Sequence, residues 1–167
     1  MTYRDCFITF VDDIVLISGK LHIITELCEL GDLSKYLKQQ LGWLDEKLIL
    51  KIFVQVCLGL RYMHRNSILH RDVKAMNIFI KKNWEVRIGD FGIAKVLKND
   101  LSFASTMTGT PFYLSPEMCE ELPYDQKSDV WALGCLLYEM CCQTQPFKSE
   151  GYRGLKKMIT QGKQKVN

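Results

Sequence analysis

The sequence predicts an α+β fold in which short β-hairpins accompany a mainly helical region. Three observations support this prediction. Residues 7–17 and 21–27 are rich in β-branched and aromatic residues and flank a turn-forming Ser-Gly-Lys, which predicts a β-hairpin. Residues 45–66 place apolar side chains at three- and four-residue steps, which predicts an amphipathic helix. Residues 128–142 are apolar on nearly every face, which predicts a helix buried all round.

The remaining elements are predicted from local signals. Between the first hairpin and the long helix, Asp32 is expected to cap a short helix, and Asp45 is expected to cap the long helix itself. Residues 78–80 and 85–88 predict a second hairpin. Residues 93–114 have many Ser and Thr and little periodicity, which predicts a long loop of the kind that is usually functional or disordered.

Two further helices are predicted near the end of the sequence. Pro116 occupies a position typical of the first residue of a helix. Residues 152–160 suggest one more amphipathic helix.

The length and the charge of the chain are those of a single globular domain. The 167 residues suffice for one domain with a hydrophobic core, and the apolar share of 47% and charged share of 25% are ordinary for a globular protein. The net charge is +3, and residues 148–167 carry six Lys or Arg against one Glu. No aromatic or groove-reading element accompanies this basic stretch, so we interpret it as a solvated face and expect no nucleic-acid partner.

The seven cysteines favour a reducing setting. Their number is odd, and they show neither Cys-x-x-Cys spacing nor paired histidines, so neither a disulfide framework nor a zinc site is indicated. The first residues lack the apolar core of a signal peptide. The longest apolar run, residues 130–138, is far shorter than the roughly 20 residues of a membrane-spanning helix. We therefore expect a cytoplasmic protein without a membrane partner.

The densest group of reactive side chains lies in residues 69–77, LHRDVKAMN, which are followed by GDFG at 89–92. Asp72, Lys74 and Asn77 are separated by two and three residues, and Asp90 lies eighteen residues beyond Asp72. An isolated Asp or Asn in a loop usually bonds its own backbone in a turn. Four polar residues in this register can instead converge on a phosphate and its metal ions, if the loop and a neighbouring strand end fold side by side.

With these motifs the chain resembles eukaryotic Ser/Thr protein kinases, and most closely the NIMA-related (Nek) family. The matching stretches are residues 25–33 (TELCELGDL), 69–77, 89–95 (GDFGIAK), 109–117 (GTPFYLSPE) and 127–135 (KSDVWALGC). The resemblance implies a protein-kinase-like fold, mainly the helical C-lobe. Residues 1–27 would then be the last strands of the N-lobe, residues 26–32 the hinge, and residues 32–167 the C-lobe, incomplete at its end.

The resemblance also implies an activity, the transfer of the ATP γ-phosphate to Ser or Thr hydroxyls of proteins with Mg²⁺ as cofactor. Asp72 would accept the proton of the substrate hydroxyl. Lys74 would hold the transferring phosphate, and a lysine at this position points to Ser/Thr substrates. Asn77 and Asp90 would hold Mg²⁺, which prefers oxygen ligands.

The nucleotide pocket is likewise implied by the resemblance. Thr25 would gate the pocket, and Glu26 and Cys28 would meet the adenine edge through backbone groups. Phe79 would form the pocket floor, although a role in the core is equally favoured for it and both roles are compatible. His70 matches the internal packing spine of the family, so we expect it to be structural.

Regulation is implied by Arg71 and by the Ser/Thr-rich loop. A phosphate in that loop could pair bidentately with the guanidinium and order the segment. Thr106 is the first candidate for phosphorylation by its match to the family. Thr110 is expected to bridge Asp72 and Lys74 instead of accepting a phosphate.

Several parts of the family pattern have no counterpart in these residues. No Gly-x-Gly-x-x-Gly occurs among the eleven glycines, and no Val-Ala-Ile-Lys-like strand precedes the first hairpin. We therefore expect a partial domain, and two interpretations stay open. The chain is part of an active kinase, or it is a truncated kinase-like module that binds a partner without turnover. The oligomeric state is left open, and the Nek resemblance adds an association with the cytoskeleton or nucleus.

Overall fold

A computed structural model describes residues 7–9, 11–90, 95–96 and 111–162, the pair 95–96 by its backbone alone. In these residues the helices are α1 (Leu33–Lys38), α2 (Glu46–Arg65), α3 (Pro116–Cys119), α4 (Gln126–Cys142) and α5 (Tyr152–Thr160). The strands are β1 (Val11–Ile17), β2 (Lys20–Thr25), β3 (Ile68–Leu69), β4 (Ile78–Ile80), β5 (Val86–Ile88) and β6 (Lys95–Val96). This mixture confirms the α+β class predicted from the sequence.

The strands named above pair as three antiparallel two-stranded sheets, β1 with β2, β3 with β6 and β4 with β5. The β1–β2 turn consists of Ser18 and Gly19, whose φ angles of 50° and 74° are both left-handed. Positive φ at both central residues is the geometry that favours glycine and matches the twist of a hairpin. Both predicted hairpins are therefore confirmed.

The first strand is shorter than the sequence predicted. β1 begins at Val11, whereas the peptide groups of residues 7–9 bond to β5: Thr9 N donates to the Ile88 carbonyl over 2.8 Å, and Ile88 N donates to the Phe7 carbonyl over 2.8 Å. This short segment therefore connects β5 to the exposed hairpin.

The helices follow the sequence signals closely, with one exception at a cap. Asp32 caps α1, because its Oδ1 accepts a hydrogen bond from Lys35 N at 2.9 Å. Asp45 precedes α2 with an extended backbone, but its side chain makes no capping hydrogen bond. The expected side-chain cap is wrong, since this exposed carboxylate faces solvent while the Asp45 carbonyl accepts the first helical bond from Ile49 N. Ser115 caps α3 and places Pro116 at its start, as predicted.

The core forms around α2 and α4. The main cluster joins α1, α2, β4, β5 and α4, and its fully buried members include Leu33, Ile52, Val56, Ile78 and Leu136. A smaller cluster joins α3, α4 and α5 through Cys119, Cys135, Phe147, Leu155 and Ile159. No described helix is long and apolar enough to cross a membrane.

Two apolar surfaces stay uncovered in the part of the chain that the structure describes. Helix α4 was expected to be buried all round, but Val130 is 50% exposed, because it lies in an open groove between α2 and α4 that Leu60 and His64 also line. The β1–β2 hairpin is more exposed still, with Leu16 at 72% and Leu21 at 65%. A two-stranded sheet needs a covering layer to bury its side chains.

Candidate active site

The loop of residues 70–77 runs from β3 to β4 and is fixed by one carboxylate from α4. Asp129 Oδ1 accepts a hydrogen bond from Arg71 N at 2.8 Å, and its Oδ2 accepts one from His70 N at 3.0 Å. His64 Nε2 lies 2.8 Å from the same Oδ2. Burial by itself would raise the pKa of Asp129, but the bonds from His64 and from the two backbone amides outweigh it and hold that pKa below its usual value. The loop is therefore tied to the core helix by an ionised group.

His70 links this loop to the end of β5. Its side chain is fully buried, its Nδ1 accepts a hydrogen bond from Asp72 N at 3.2 Å, and its Nε2 lies 3.1 Å from the Gly89 carbonyl. Because Nδ1 accepts, Nε2 carries the proton and donates to that carbonyl. Burial lowers the pKa of His70, so the imidazole is neutral. These contacts agree with a positioning role.

Asp72, Lys74 and Asn77 converge as their spacing suggested. Lys74 Nζ lies 2.6 Å from Asp72 Oδ2, and Asn77 Nδ2 donates to the same oxygen at 2.9 Å and to the Asp72 carbonyl at 2.8 Å. The side chains of Asp72 and Lys74 are 26% and 12% exposed. Charge-assisted hydrogen bonds of this length stabilise the ionised carboxylate and also hold its orientation. One carboxylate is thus held between a cation and an amide, and it remains accessible to solvent.

Asn77 and Asp90 bring oxygen donors to the same end of the β4–β5 hairpin. The side-chain nitrogen of Asn77 donates hydrogen bonds to Asp72, and the backbone carbonyl of Asn77 accepts a hydrogen bond from Gly89 N at 3.0 Å. Asp90 follows directly, exposed and with a left-handed φ of 62°. In the described ranges no group of three or more His, Cys, Asp or Glu is placed to hold a metal. An amide oxygen and one carboxylate fit an ion such as Mg²⁺ that completes its shell with phosphates and water.

The residues expected around the nucleotide lie at the end of β2, in the segment that follows it, and on β4. Thr25 ends β2, and the Cys28 carbonyl accepts a hydrogen bond from Gly31 N at 3.0 Å. Cys28 is half-buried, and burial followed by the charge of Glu26 raises the pKa of its thiol. The backbone of Phe79 pairs with that of Asp32 in an isolated antiparallel bridge, which brings this part of β4 beside the segment.

Gly89 lies directly against the Phe79 ring. A Cβ atom placed on Gly89 would stand 2.7 Å from Phe79 Cε2 and 2.8 Å from Thr9 Oγ1, closer than packed atoms tolerate. The position therefore has room for glycine and for little else. The Phe79 ring thus packs against the residue that precedes Asp90, and the Phe79 backbone is bridged to Asp32, next to the segment expected to bind adenine.

Comparison with known proteins matches this geometry to a family. The sequence model described as the protein kinase domain matches residues 2–167. The chain belongs to the protein kinase family. It is 46% identical over 145 residues to the serine/threonine-protein kinase Nek3 of Mus musculus, and 49% identical over 146 residues to both Nek1 of Mus musculus and Nek5 of Homo sapiens.

These alignments confirm the resemblance to Nek kinases. They cover 86%, 87% and 86% of this kinase-family chain, but 28%, 12% and 21% of Nek3, Nek1 and Nek5. The chain therefore spans less than a third of the length of these relatives.

Arg71 lies beside this kinase-like loop in an unusual conformation. Its φ of 73° is left-handed, its guanidinium carbon lies 5.2 Å from the centre of the Tyr124 ring, and its buried Nε has no hydrogen-bond partner among the described residues. Burial raises the pKa of Tyr124, opposed by the charge of Arg71. The other two residues predicted for regulation, Thr106 and Thr110, lie outside the described residues.

Two residues that position the kinase-like loop were not identified from the sequence. Asp129 is one, and the signal was a carboxylate inside an otherwise apolar helix, since a buried charge needs partners. Tyr113 is the other: its hydroxyl accepts a hydrogen bond from Ala75 N at 3.4 Å and donates to Glu139. Burial raises the pKa of Glu139. No local signal could have indicated Tyr113, since it lies 38 positions from Ala75.

Proposed function

We propose that this chain is the catalytic part of an ATP-dependent protein Ser/Thr kinase, which transfers the γ-phosphate of ATP to Ser or Thr hydroxyls. One observation carries the proposal. The Asp72 carboxylate is held by Lys74 at 2.6 Å and by Asn77 at 2.9 Å, and it stays accessible. A carboxylate oriented beside a cation is suited to accept a hydroxyl proton next to a transferring phosphate.

In this proposal each residue of the site has a separate role in the reaction. Asp72 accepts the proton of the substrate hydroxyl as the new oxygen–phosphorus bond forms and the bond to the leaving diphosphate breaks. Lys74, already next to Asp72, holds the transferring phosphate. Asn77 and Asp90 would hold Mg²⁺, which when bound neutralises phosphate charge. His70 and Asp129 keep the loop in place through the bonds to Gly89 and to the loop amides.

In this proposal residues 1–27 are the N-lobe strands, residues 26–32 are the hinge, and residues 32–167 are the C-lobe. Thr25 gates the pocket, Glu26 and Cys28 present backbone groups to adenine, and Phe79 forms the floor. Support comes from the bridge that brings Phe79 beside the hinge.

Regulation is proposed to act through Arg71. A phosphate on Thr106 would pair with its guanidinium, while Thr110 would bridge Asp72 and Lys74. The Nε of Arg71, which has no hydrogen-bond partner in the part of the chain that the structure describes, supports an anion-accepting role.

Replacement of Asp72 by Asn tests the proposal. We expect transfer of labelled phosphate from ATP to a Ser/Thr peptide to fall by about 10²–10⁴, because the amide cannot accept the proton. ATP affinity should stay unchanged, since the contacts assigned to adenine lie on the hinge. Asp125→Asn, an exposed residue that caps α4, is the matched control. Unchanged turnover in Asp72→Asn would refute the assigned base.

A second function, a kinase-like binding module without turnover, is favoured by a different observation. Exposed apolar side chains cover both faces of the β1–β2 hairpin, and surfaces of this kind often mark binding sites. The same assay separates the two functions. A wild-type chain that binds ATP but transfers no phosphate, with Asp72→Asn indistinguishable from it, would support the binding module.

A further inference from the structure

The side chain of Glu26 is held by two cations of the β4–β5 hairpin. Its Oε1 accepts a hydrogen bond from Arg87 Nε at 2.8 Å, and its Oε2 lies 3.2 Å from Lys81 Nζ. The kinase resemblance implies a role for the backbone of Glu26 alone. The structure shows in addition a carboxylate only 18% exposed that joins the proposed hinge to residues 61 and 55 positions later.

Arg87 is itself fixed before it meets Glu26. Its side chain is 9% exposed, its Nη1 donates to the Val86 carbonyl at 3.0 Å, and its Nη2 lies 3.2 Å from Glu85 Oε2. A charge buried to this degree is costly unless it is paired and hydrogen-bonded. The guanidinium is therefore a rigid partner, and its bond with Glu26 fixes the hinge carboxylate in one place.

Backbone bonds fix the other end of the same segment. Leu30 N donates to the Ile80 carbonyl at 3.0 Å, and Ile80 N donates to the Gly31 carbonyl at 2.9 Å. Lys82 N also donates to the Glu29 carboxylate at 3.2 Å. Residues 26–31 are thus attached to the β4–β5 hairpin at both ends, with Cys28 between the two attachments.

We infer that Arg87, assisted by Lys81, is a positioning residue for the nucleotide: through Glu26 it holds the hinge backbone where it can receive adenine. The inference rests on the proposed kinase function. Binding of adenine and transfer of phosphate would then depend on different residues. The Asp72 carboxylate is held by Lys74 and Asn77 and its loop by Asp129, whereas the hydrogen bonds that the structure describes for Arg87 go to Glu26, Glu85 and Val86. Loss of Arg87 should therefore weaken ATP binding and leave the chemical step nearly unchanged.

Arg87→Met, which keeps the length of the side chain and removes the charge, is the main test. We expect KM and Kd for ATP to rise about tenfold, the effect of losing one charge-assisted hydrogen bond, with kcat within about twofold of wild type. Arg87→Lys should restore affinity to within about threefold, because it retains the charge. Glu85→Gln is the matched control, since Glu85 contacts Arg87 but is 44% exposed and is not part of the hinge. It should leave KM unchanged.

A second measurement separates positioning from stability. The Kd of Mg²⁺-tripolyphosphate, which lacks adenine, should be the same in wild type and in Arg87→Met. A lower melting temperature of Arg87→Met with an unchanged Kd for ATP would overturn the inference and leave Arg87 as a structural residue. Equal weakening of ATP and tripolyphosphate would overturn it as well.

A variant that does not fold, or a wild-type chain that does not bind ATP, would each be interpreted separately. Where Arg87→Met fails to fold, Lys81→Met replaces it, with an expected two- to threefold rise in Kd for ATP, because its cation is more exposed and its contact longer. An unchanged Kd in that variant would refute the inference. A wild-type chain that binds no ATP would overturn the proposed function and this inference together, whereas wild-type binding with unaffected variants would overturn the inference alone.

Discussion

The β1–β2 and β4–β5 hairpins are made of similar apolar residues, but only those of the β4–β5 hairpin are buried. In β4 and β5 the side chains of Ile78, Ile80, Val86 and Ile88 are all 0% exposed. In β1 and β2 equally apolar side chains are exposed, Leu16 at 72%. The difference lies in what covers them, because helix α2 packs against β5, and Gln55 of α2 bonds the Val86 amide at 3.0 Å and the Trp84 carbonyl at 2.9 Å.

This comparison shows where a proposed active site can be built. The buried hairpin carries or adjoins each residue assigned to metal, phosphate and pocket floor, whereas the exposed hairpin contributes Thr25 at its very end. Positioning to a fraction of an ångström needs supporting side chains that are themselves fixed. The β4–β5 hairpin has such supporting side chains, among them Gln55 and His70.

The largest effect should come from removing the carboxylate that ties the loop to the core. Asp129→Ala leaves two backbone amides and His64 without their shared acceptor, and we expect the free energy of unfolding to fall by about 3–5 kcal/mol. Urea denaturation measures this. Asp125→Ala, which removes only an exposed cap of the same helix, should cost about 1 kcal/mol. Equal losses in the two variants would show that Asp129 is no special anchor.

The next effect concerns the contact between Gly89 and Phe79. Gly89→Ala places a methyl group 2.7 Å from the Phe79 ring, and we expect a loss of about 1–3 kcal/mol in the free energy of unfolding, together with weaker ATP binding. Gly134→Ala in α4 is the control, because no described atom beyond the neighbouring residues and backbone of its own helix lies within 4 Å of the added methyl group, and it should stabilise by up to about 1 kcal/mol. Urea denaturation of both variants decides the matter, and a harmless Gly89→Ala would contradict the close approach.

Acid should weaken the buried region through His70. Burial lowers the pKa of His70 in the folded chain, so below the unfolded value of about 6.5 the unfolded chain binds more protons and stability falls with falling pH, by at most about 1.4 kcal/mol per pH unit. Above pH 6.5 this group should have no effect. Asp129, whose folded pKa is lowered, adds a separate loss only as the pH falls below its own unfolded value.

The variant His70→Gln isolates this effect. Its free energy of unfolding, measured by urea denaturation between pH 7.5 and about 5, should depend less steeply on pH than that of wild type. Identical slopes in the two proteins would show that the imidazole does not titrate as its burial requires.

The smallest effect is expected at the exposed hairpin. Leu16→Ala should change the free energy of unfolding by no more than about 0.5 kcal/mol, because its side chain is already in water. Leu33→Ala, the same substitution at a site that is 0% exposed, should cost about 2–5 kcal/mol. Comparable losses at both positions would mean that the hairpin is covered in solution.

Local signals were enough for most elements. The three- and four-residue apolar steps gave α2 nearly to its ends, and Asp32 capped α1 as expected. Asp72, Lys74 and Asn77 lie next to one another, as their spacing suggested, because all three lie on one short loop.

Contacts between distant residues were beyond the sequence. Asp129 meets Arg71 across 58 positions, and Arg87 meets Glu26 across 61 positions. Neither pair has a local pattern, since both depend on which helix or hairpin covers which loop. The same reason explains one error, since Val130 is exposed although its helix is apolar on nearly every face. The other error is local, because the exposed carboxylate of Asp45 faces solvent and does not cap α2.

Gly89 uses both of its polar groups to hold the two proposed metal ligands in relation to each other. Its amide donates to the carbonyl of Asn77, and its carbonyl accepts from His70, while Asp90 is the next residue. The ordering entropy of bringing these ligands together is therefore lost when the chain folds and not when an ion binds. If Asn77 and Asp90 hold an ion, the main chain has thus limited their relative freedom beforehand, and less ordering entropy opposes the binding of that ion.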